Sequence, residues 1–139
     1  MKKILLPVDG SESCVLAYDH VKTFAQKFGS EVLIVNVQDE IPHGYGGVDY
    51  KEAGTAKLEK NAQEILEKAK ENFEGTEIKV GTKFVIGDAA SAIIDTAENE
   101  GCDIIIMCTH GMSGRKRFLM GSVANKVVHH ASVPVLVVR

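Results

Sequence analysis

The stretch Ile104-Ile105-Ile106-Met107-Cys108-Thr109-His110-Gly111-Met112-Ser113-Gly114 decides the fold. Its first four side chains are apolar on both parities and mostly β-branched, the pattern of a strand covered on two faces. It then gives way to a loop that carries glycines. Ile4-Leu5-Leu6-Pro7-Val8, Val32-Leu33-Ile34-Val35 and Val135-Leu136-Val137-Val138 repeat the two-sided pattern. Strands of this kind predict a parallel sheet sandwiched by helices. Ile78-Lys79-Val80-Gly81-Thr82-Lys83-Phe84 alternates instead, with Lys79 and Lys83 on its second face, as an edge strand with one wet side does.

Helical stripes separate the strands. Leu16, Val21, Phe24, Ala25 and Phe28 form the first, with Ser11 as N-cap and Gly29 after its end. Leu58, Ala62, Ile65, Leu66, Ala69 and Phe73 form a second, closed by Gly75; Ala90, Ile93, Ile94 and Ala97 form a third, between Asp88 and Gly101. Ser122, Val123, Val127 and Val128 mark a fourth. The order β-α-β-α-β-α-β-α-β reads as one α/β domain over residues 1–139. Residues 38–52, with Pro42, Gly44, Gly46 and Gly47, are expected to be an irregular loop, either functional or a tolerated insertion.

Right-handed crossovers, with the alternating third strand at an edge, favour an open five-stranded parallel sheet in order 3-2-1-4-5, helices on both faces. The order 2-1-3-4-5 is the competitor. In the first order the chain reverses direction between the carboxyl ends of strands 1 and 4, where open α/β sheets hold ligands. Strand 1 delivers Asp9 to that crevice. Strand 4 leads into Gly111 and Gly114, then Arg115-Lys116-Arg117, and then Gly121-Ser122 at a helix start. Glycine lets backbone N–H groups approach an anion closely, and a helix N-terminus adds orphan donors and a positive dipole end. Residues 110–126 hold four basic side chains and no acid, against a whole-chain net charge of −3. A polyphosphate fits.

Other chemistries fit less well. No Gly-x4-Gly-Lys-(Ser/Thr) loop is present, and Ser113 lacks the Gly-x-Ser-x-Gly spacing of a hydrolase elbow. His129 and His130 are adjacent, so they point to different helix faces; with His20, His43 and His110 they lack metal-ligand spacing. A phosphorelay receiver needs an acidic pair after strand 1 and an acceptor aspartate after strand 3, whereas Asp88 falls past the strand as a helix cap. Sixteen basic against nineteen acidic residues argue against a duplex nucleic-acid binder. No apolar run approaches the roughly 18 residues of a membrane span. Cys14, Cys102 and Cys108 lack scaffold spacing, which points to a reducing cytoplasm. A thiol at Cys108, beside an anion site, would also be a candidate redox sensor.

The chain resembles the universal stress protein family over essentially its whole length. The resemblance is carried by Ile4 to Ser11, Asn36-Val37-Gln38-Asp39, Ile104 to Gly111, Gly121-Ser122 and Pro134 to Val138. It implies a Rossmann-like, adenine nucleotide alpha hydrolase-like fold. The nucleotide-binding branch carries Gly-x2-Gly-x9-Gly-(Ser/Thr), and here Gly111 and Gly121-Ser122 match while Cys108 replaces the first glycine. By this resemblance Asp9 would accept from the ribose hydroxyls, with Pro7 and Val8 beside the base. Val37 would meet the adenine edge and Met107 the nucleoside. The backbone at Cys108 and Gly111, with Gly121, Ser122 and Val123, would cradle the phosphates, and Arg115, Lys116 and Arg117 could neutralise them.

The implied ligands are ATP and Mg²⁺, the metal arriving with the nucleotide rather than on protein side chains. No base for fast hydrolysis stands in the glycine loop, so slow turnover at most is expected. The function implied is a cytoplasmic stress-response switch set by ATP and read by an unknown protein client. The alternative is a nucleotide-free dimeric interaction module whose ATP binding is weakened by Cys108. The last strand, Val135 to Val138, is apolar on both parities though it should be an edge. That predicts a homodimer through this strand.

Overall fold

The computed structural model describes residues 1–11, 15–40, 48–109 and 120–139, with the backbone alone for 48–53. Side chains branched at Cβ crowd a helical turn but fit a pleated surface, and every two-sided apolar run forms a strand. The elements are β1 (Lys3–Pro7), α1 (Val15–Phe28), β2 (Glu31–Gln38), α2 (Val48–Glu71), β3 (Val80–Ile86), α3 (Ala89–Asn99), β4 (Ile104–Cys108), α4 (Ser122–His130) and β5 (Val135–Val138). The sheet is parallel and ordered β3-β2-β1-β4-β5. The competing order is excluded, since β1 pairs with both β2 and β4.

Alternate strand residues feed two separate cores. Ile4, Leu6, Val32, Ile34, Ile104 and Ile106 pack with Val21 and Ala25 of α1 and Leu66 and Ala69 of α2. Leu5, Leu33, Val35, Ile105 and Met107 pack with Ile93 and Ala97 of α3 and Ala124 and Val127 of α4. Ile4, Leu5, Ile34, Ile105 and Ile106 are wholly inaccessible. At roughly 25 cal/mol per Å² of apolar surface removed from water, each such side chain contributes on the order of 2 kcal/mol. The two cores explain the two-sided sequence pattern: each strand is sandwiched, as in a doubly wound sheet.

Three boundaries differ from the sequence reading. The helix expected from Leu58 begins ten residues earlier, at Val48. The irregular stretch therefore ends before Val48; Ile41 to Gly47 lie outside the described residues. The edge strand starts at Val80 and runs to Ile86, displaced toward its carboxyl end. Ser11, expected to cap α1, donates its N–H to Asp9 Oδ1 at 2.8 Å, and the described helix opens at Val15. The Asp88 cap forms as expected, its side chain accepting from Ser91 N, with φ of +66° at Gly101 beyond the helix end.

Acidic side chains tie the amino ends of the strands. Asp103 Oδ2 accepts from the Lys2 and Lys3 backbone N–H groups at 2.7 and 2.9 Å. These bonds, Lys3 first, hold its carboxyl below the ordinary carboxylate range. Lys83 on the edge strand donates to Glu100 Oε1 at 2.8 Å, and Lys3 lies 3.6 Å from the other oxygen. Lys79, on the wet side as expected, is exposed and pairs loosely with Glu31.

Candidate functional site

Strand β1 ends at Pro7, and the backbone beyond it is held rather than free. The Val8 N–H donates to the Val35 carbonyl at 2.9 Å, so the ladder with β2 runs one residue past the strand. The Asn36 amide, buried in β2, donates through Nδ2 to the Val8 carbonyl at 2.8 Å. Asp9 then emerges into solvent, and Gly10 turns the chain at φ +89°. A Cβ at Gly10 would meet Ile65 of α2 at 3.2 Å, so close approach and left-handed backbone both require glycine there. Tyr18 of α1 lies near this acid. Burial first, and the Asp9 charge second, raise its phenol above the ordinary pKa.

On the other side of the switch point, β4 carries Met107, buried, and Cys108, half-buried, to the same rim. Thr109 links the two ends of the rim. Its N–H donates to the Val138 carbonyl at 3.0 Å, and its carbonyl accepts from the Gly121 N–H at 2.7 Å. That bond fixes the start of α4, where Gly121 supplies no capping side chain. The first amides of the helix therefore have no intrahelical acceptor and face the crevice with the positive dipole end behind them.

A cleft of about 290 Å³ opens between these ends. Pro7, Val8 and Asp9 form one wall, with Val37 beside them. Met107, Cys108, Gly121, Ser122 and Val123 form the other. The structure thus gathers into one crevice all the sequence-selected site residues that it describes. Gly111, Arg115, Lys116 and Arg117 lie outside the described residues. The sequence reading missed Ala89 and Ile93, which close the cleft from the first two turns of α3, and Val35, Thr109 and Ala124. The capping aspartate at position 88 was the available signal, since it starts a helix at the same end of the sheet. A larger hollow of about 940 Å³ sits at the opposite end, among Lys2, Glu31, Gly75 and Lys79. It lies at the amino ends of β1 and β2, beside Lys2 and Glu31.

Position 108 settles a question raised by the sequence. As the last residue of β4, paired with Val138, it has extended backbone, which any residue adopts without left-handed strain. Its side chain packs toward the core formed with α1 and α2, while the cleft opens on the α3 and α4 side. Cys108 therefore stands at the cleft rim while its side chain joins that core. Cys108 is disulfide-bonded, against the expectation of a reduced thiol; proximity in the fold, not spacing in the sequence, governs pairing. Cys102 is free and buried, and burial pushes its thiol up, away from the reactive range. Cys14 lies outside the described residues. His20, His129 and His130 are exposed, as solvated histidines are.

An open parallel sheet with helices on both faces and a cleft at its switch point defines a doubly wound α/β protein, the class of fold that holds ligands at that point. The family model of the universal stress proteins matches residues 1–139, and the chain belongs to that family. It is 37% identical to the universal stress protein MJ0531 of Methanocaldococcus jannaschii, over 99% of this chain and 82% of the relative. The solved structure of MJ0577, from the same organism, superposes with a TM-score of 0.85 at 38% identity, covering 99% of this chain and 94% of that one. UspA of Lactobacillus plantarum has the same fold, with a TM-score of 0.82 at 23% identity over 99% and 97% of the chains. More distant structures of the fold are described as complexes with cAMP, with dAMP (from Archaeoglobus fulgidus) and with AMP (from Arabidopsis thaliana).

Proposed function

We propose that this protein binds an adenine nucleotide, ATP with Mg²⁺ foremost, in the cleft between β1 and β4, and works as a ligand-set regulatory switch. The carrying observation is the pairing, across one crevice, of an exposed carboxylate at Asp9 with the uncapped start of α4. A carboxylate accepts from a ribose diol, and helix-start amides with a serine hydroxyl donate to phosphate oxygens. Pro7, Val8, Val37 and Met107 supply apolar walls for a base. Relatives of the same fold described with AMP, dAMP and cAMP support the ligand class.

Among the described residues no group of three or more His, Cys, Asp or Glu side chains could hold a metal ion. Mg²⁺ in this reading enters on the triphosphate. The nucleotide must bind one conformation better than another for a partner to read it, and hydrolysis is slow at most. The molecule acts as a homodimer through β5 and in the cytoplasm, where the Cys108 disulfide would meet a reducing thiol pool and open.

Thermal unfolding with and without Mg-ATP tests the reading. A ligand at 100 times its dissociation constant adds about 2.7 kcal/mol, a rise of roughly 8 °C in Tm at this size. Mass spectrometry of nucleotide released from freshly purified protein identifies the resident adenylate. An unchanged Tm in millimolar ATP, ADP and AMP would favour the nucleotide-free interaction module.

A further inference from the structure

Asn36 stands out in β2. It is 1% exposed and is the sole side-chain amide buried among the described residues, where Ser30 and Thr96 are the other buried polar groups. It follows the parity of Val32 and Ile34, so it lies on the α1 and α2 side of the sheet, behind the cleft rather than in it. Each of its polar ends is used. Nδ2 donates to the Val8 carbonyl at 2.8 Å, and Oδ1 accepts from Gln38 Nε2 at 2.6 Å. Gln38 Oε1 in turn accepts, at 3.5 Å, from Asn61 Nδ2 on α2. The chain of amides runs from a helix on the back face to the peptide that precedes Asp9.

An apolar residue here would pack as Ile34 does, so core formation does not require an amide. What the amide adds is direction: with the Val8 N–H held by Val35, it fixes the second polar group of the same residue. Both ends of the Val8 backbone are then pinned to β2. The Asp9 side chain, which accepts from Ser11 N, starts from the peptide that these bonds hold. We infer that Asn36 is a positioning residue for the cleft, setting the Asp9 carboxylate from behind the sheet without touching ligand, a role that rests on the nucleotide-binding reading for its consequence but not for its geometry.

Two measurements separate those parts. In ligand-free protein, Asn36→Leu is expected to speed amide hydrogen exchange at Val8 about tenfold while Ile34 and Ile105 stay protected. Equal protection at Val8 would overturn the positioning role whether or not any nucleotide binds. For binding, AMP affinity is compared in the native protein, Asn36→Leu, Asp9→Asn and the double variant. Asn36→Leu should weaken AMP about tenfold, yet add less than twofold to the Asp9→Asn loss, because the amide acts through that carboxylate. Full losses in both backgrounds would show general loosening and contradict the proposal. If Asn36→Leu does not fold, Gln38→Leu at its half-buried position removes the bond that orients the Asn36 amide. A smaller loss of Val8 protection supports the proposal there, and none opposes it. Native protein that binds neither AMP nor Mg-ATP would refute the nucleotide reading alone.

Discussion

Asp9, Gly10 and Cys108 do different work within one rim, and substitutions should separate them. Asp9→Asn keeps the side-chain shape and weakens the acceptor facing the proposed ribose. Adenylate affinity by calorimetry should fall at least tenfold, with the unfolding midpoint little changed. Gly10→Ala should act on the fold instead. At φ +89°, with Ile65 at 3.2 Å, a methyl group costs about 1–3 kcal/mol, readable in the urea midpoint. Under reducing conditions, with the disulfide open in both proteins, Cys108→Gly should bind nucleotide at least as tightly as the native chain, since the side chain packs with the α1 and α2 core and the extended backbone survives. A large loss of affinity would mean that the cysteine itself has a role at the site. Asn36 shows what residue-level reading of sequence could not reach. A lone polar residue inside Val32-Leu33-Ile34-Val35-Asn36-Val37 signals a buried hydrogen bond, but its partner, the Val8 carbonyl, is 28 positions away and known only from the register.

The strands were the elements most fully written in the sequence, because burial on two faces leaves a pattern no amphipathic element shares. Helix α2 was legible only from Leu58 onward, where one apolar stripe faces the sheet. Its first residues, Val48-Asp49-Tyr50-Lys51-Glu52, are compatible with a helix but follow Gly46-Gly47, and that punctuation masked the start. The wall formed by α3 and α4 was half legible: Gly121-Ser122 announced the start of α4, whereas the contribution of Ala89 and Ile93 depends on where α3 packs on the sheet, which no local motif announces. Elements are also tied by titrating groups. Asp103, Asp88 and Glu100 all have lowered pKa values, from the Lys3 N–H, the Ser91 N–H and the Lys83 ammonium respectively. Their stabilisation is present above the unfolded-state carboxylate pKa of about 4 and is lost as pH falls through the lower folded values. Urea midpoints should therefore drop as pH falls below about 4, and Asp103→Asn should flatten part of that slope. A midpoint constant across this range would show these contacts to be absent in solution.

At the scale of the whole molecule, β5 is an edge with half-buried Val135, Leu136 and Val137, and Arg139 is the nearest charge. An edge so lightly blunted favours pairing with a second copy about a twofold axis. Sedimentation equilibrium should find a dimer at micromolar concentration, and Leu136→Lys should shift it toward monomer. A single monomeric species in the native protein would count against β5 as an interface. Strand β5 and the cleft are joined physically, because the Val138 carbonyl accepts the Thr109 N–H and the Thr109 carbonyl holds the start of α4. The central claim, though, concerns the cleft alone. Backbone amide shifts recorded during a titration with Mg-ATP test it most directly. The account predicts saturable shifts centred on Val8, Asp9, Val37, Ser122 and Val123, with the hollow around Lys2, Glu31 and Lys79 unmoved. Saturable binding that shifts the second set and leaves the first in place, or no shift at either end at millimolar nucleotide, would contradict it.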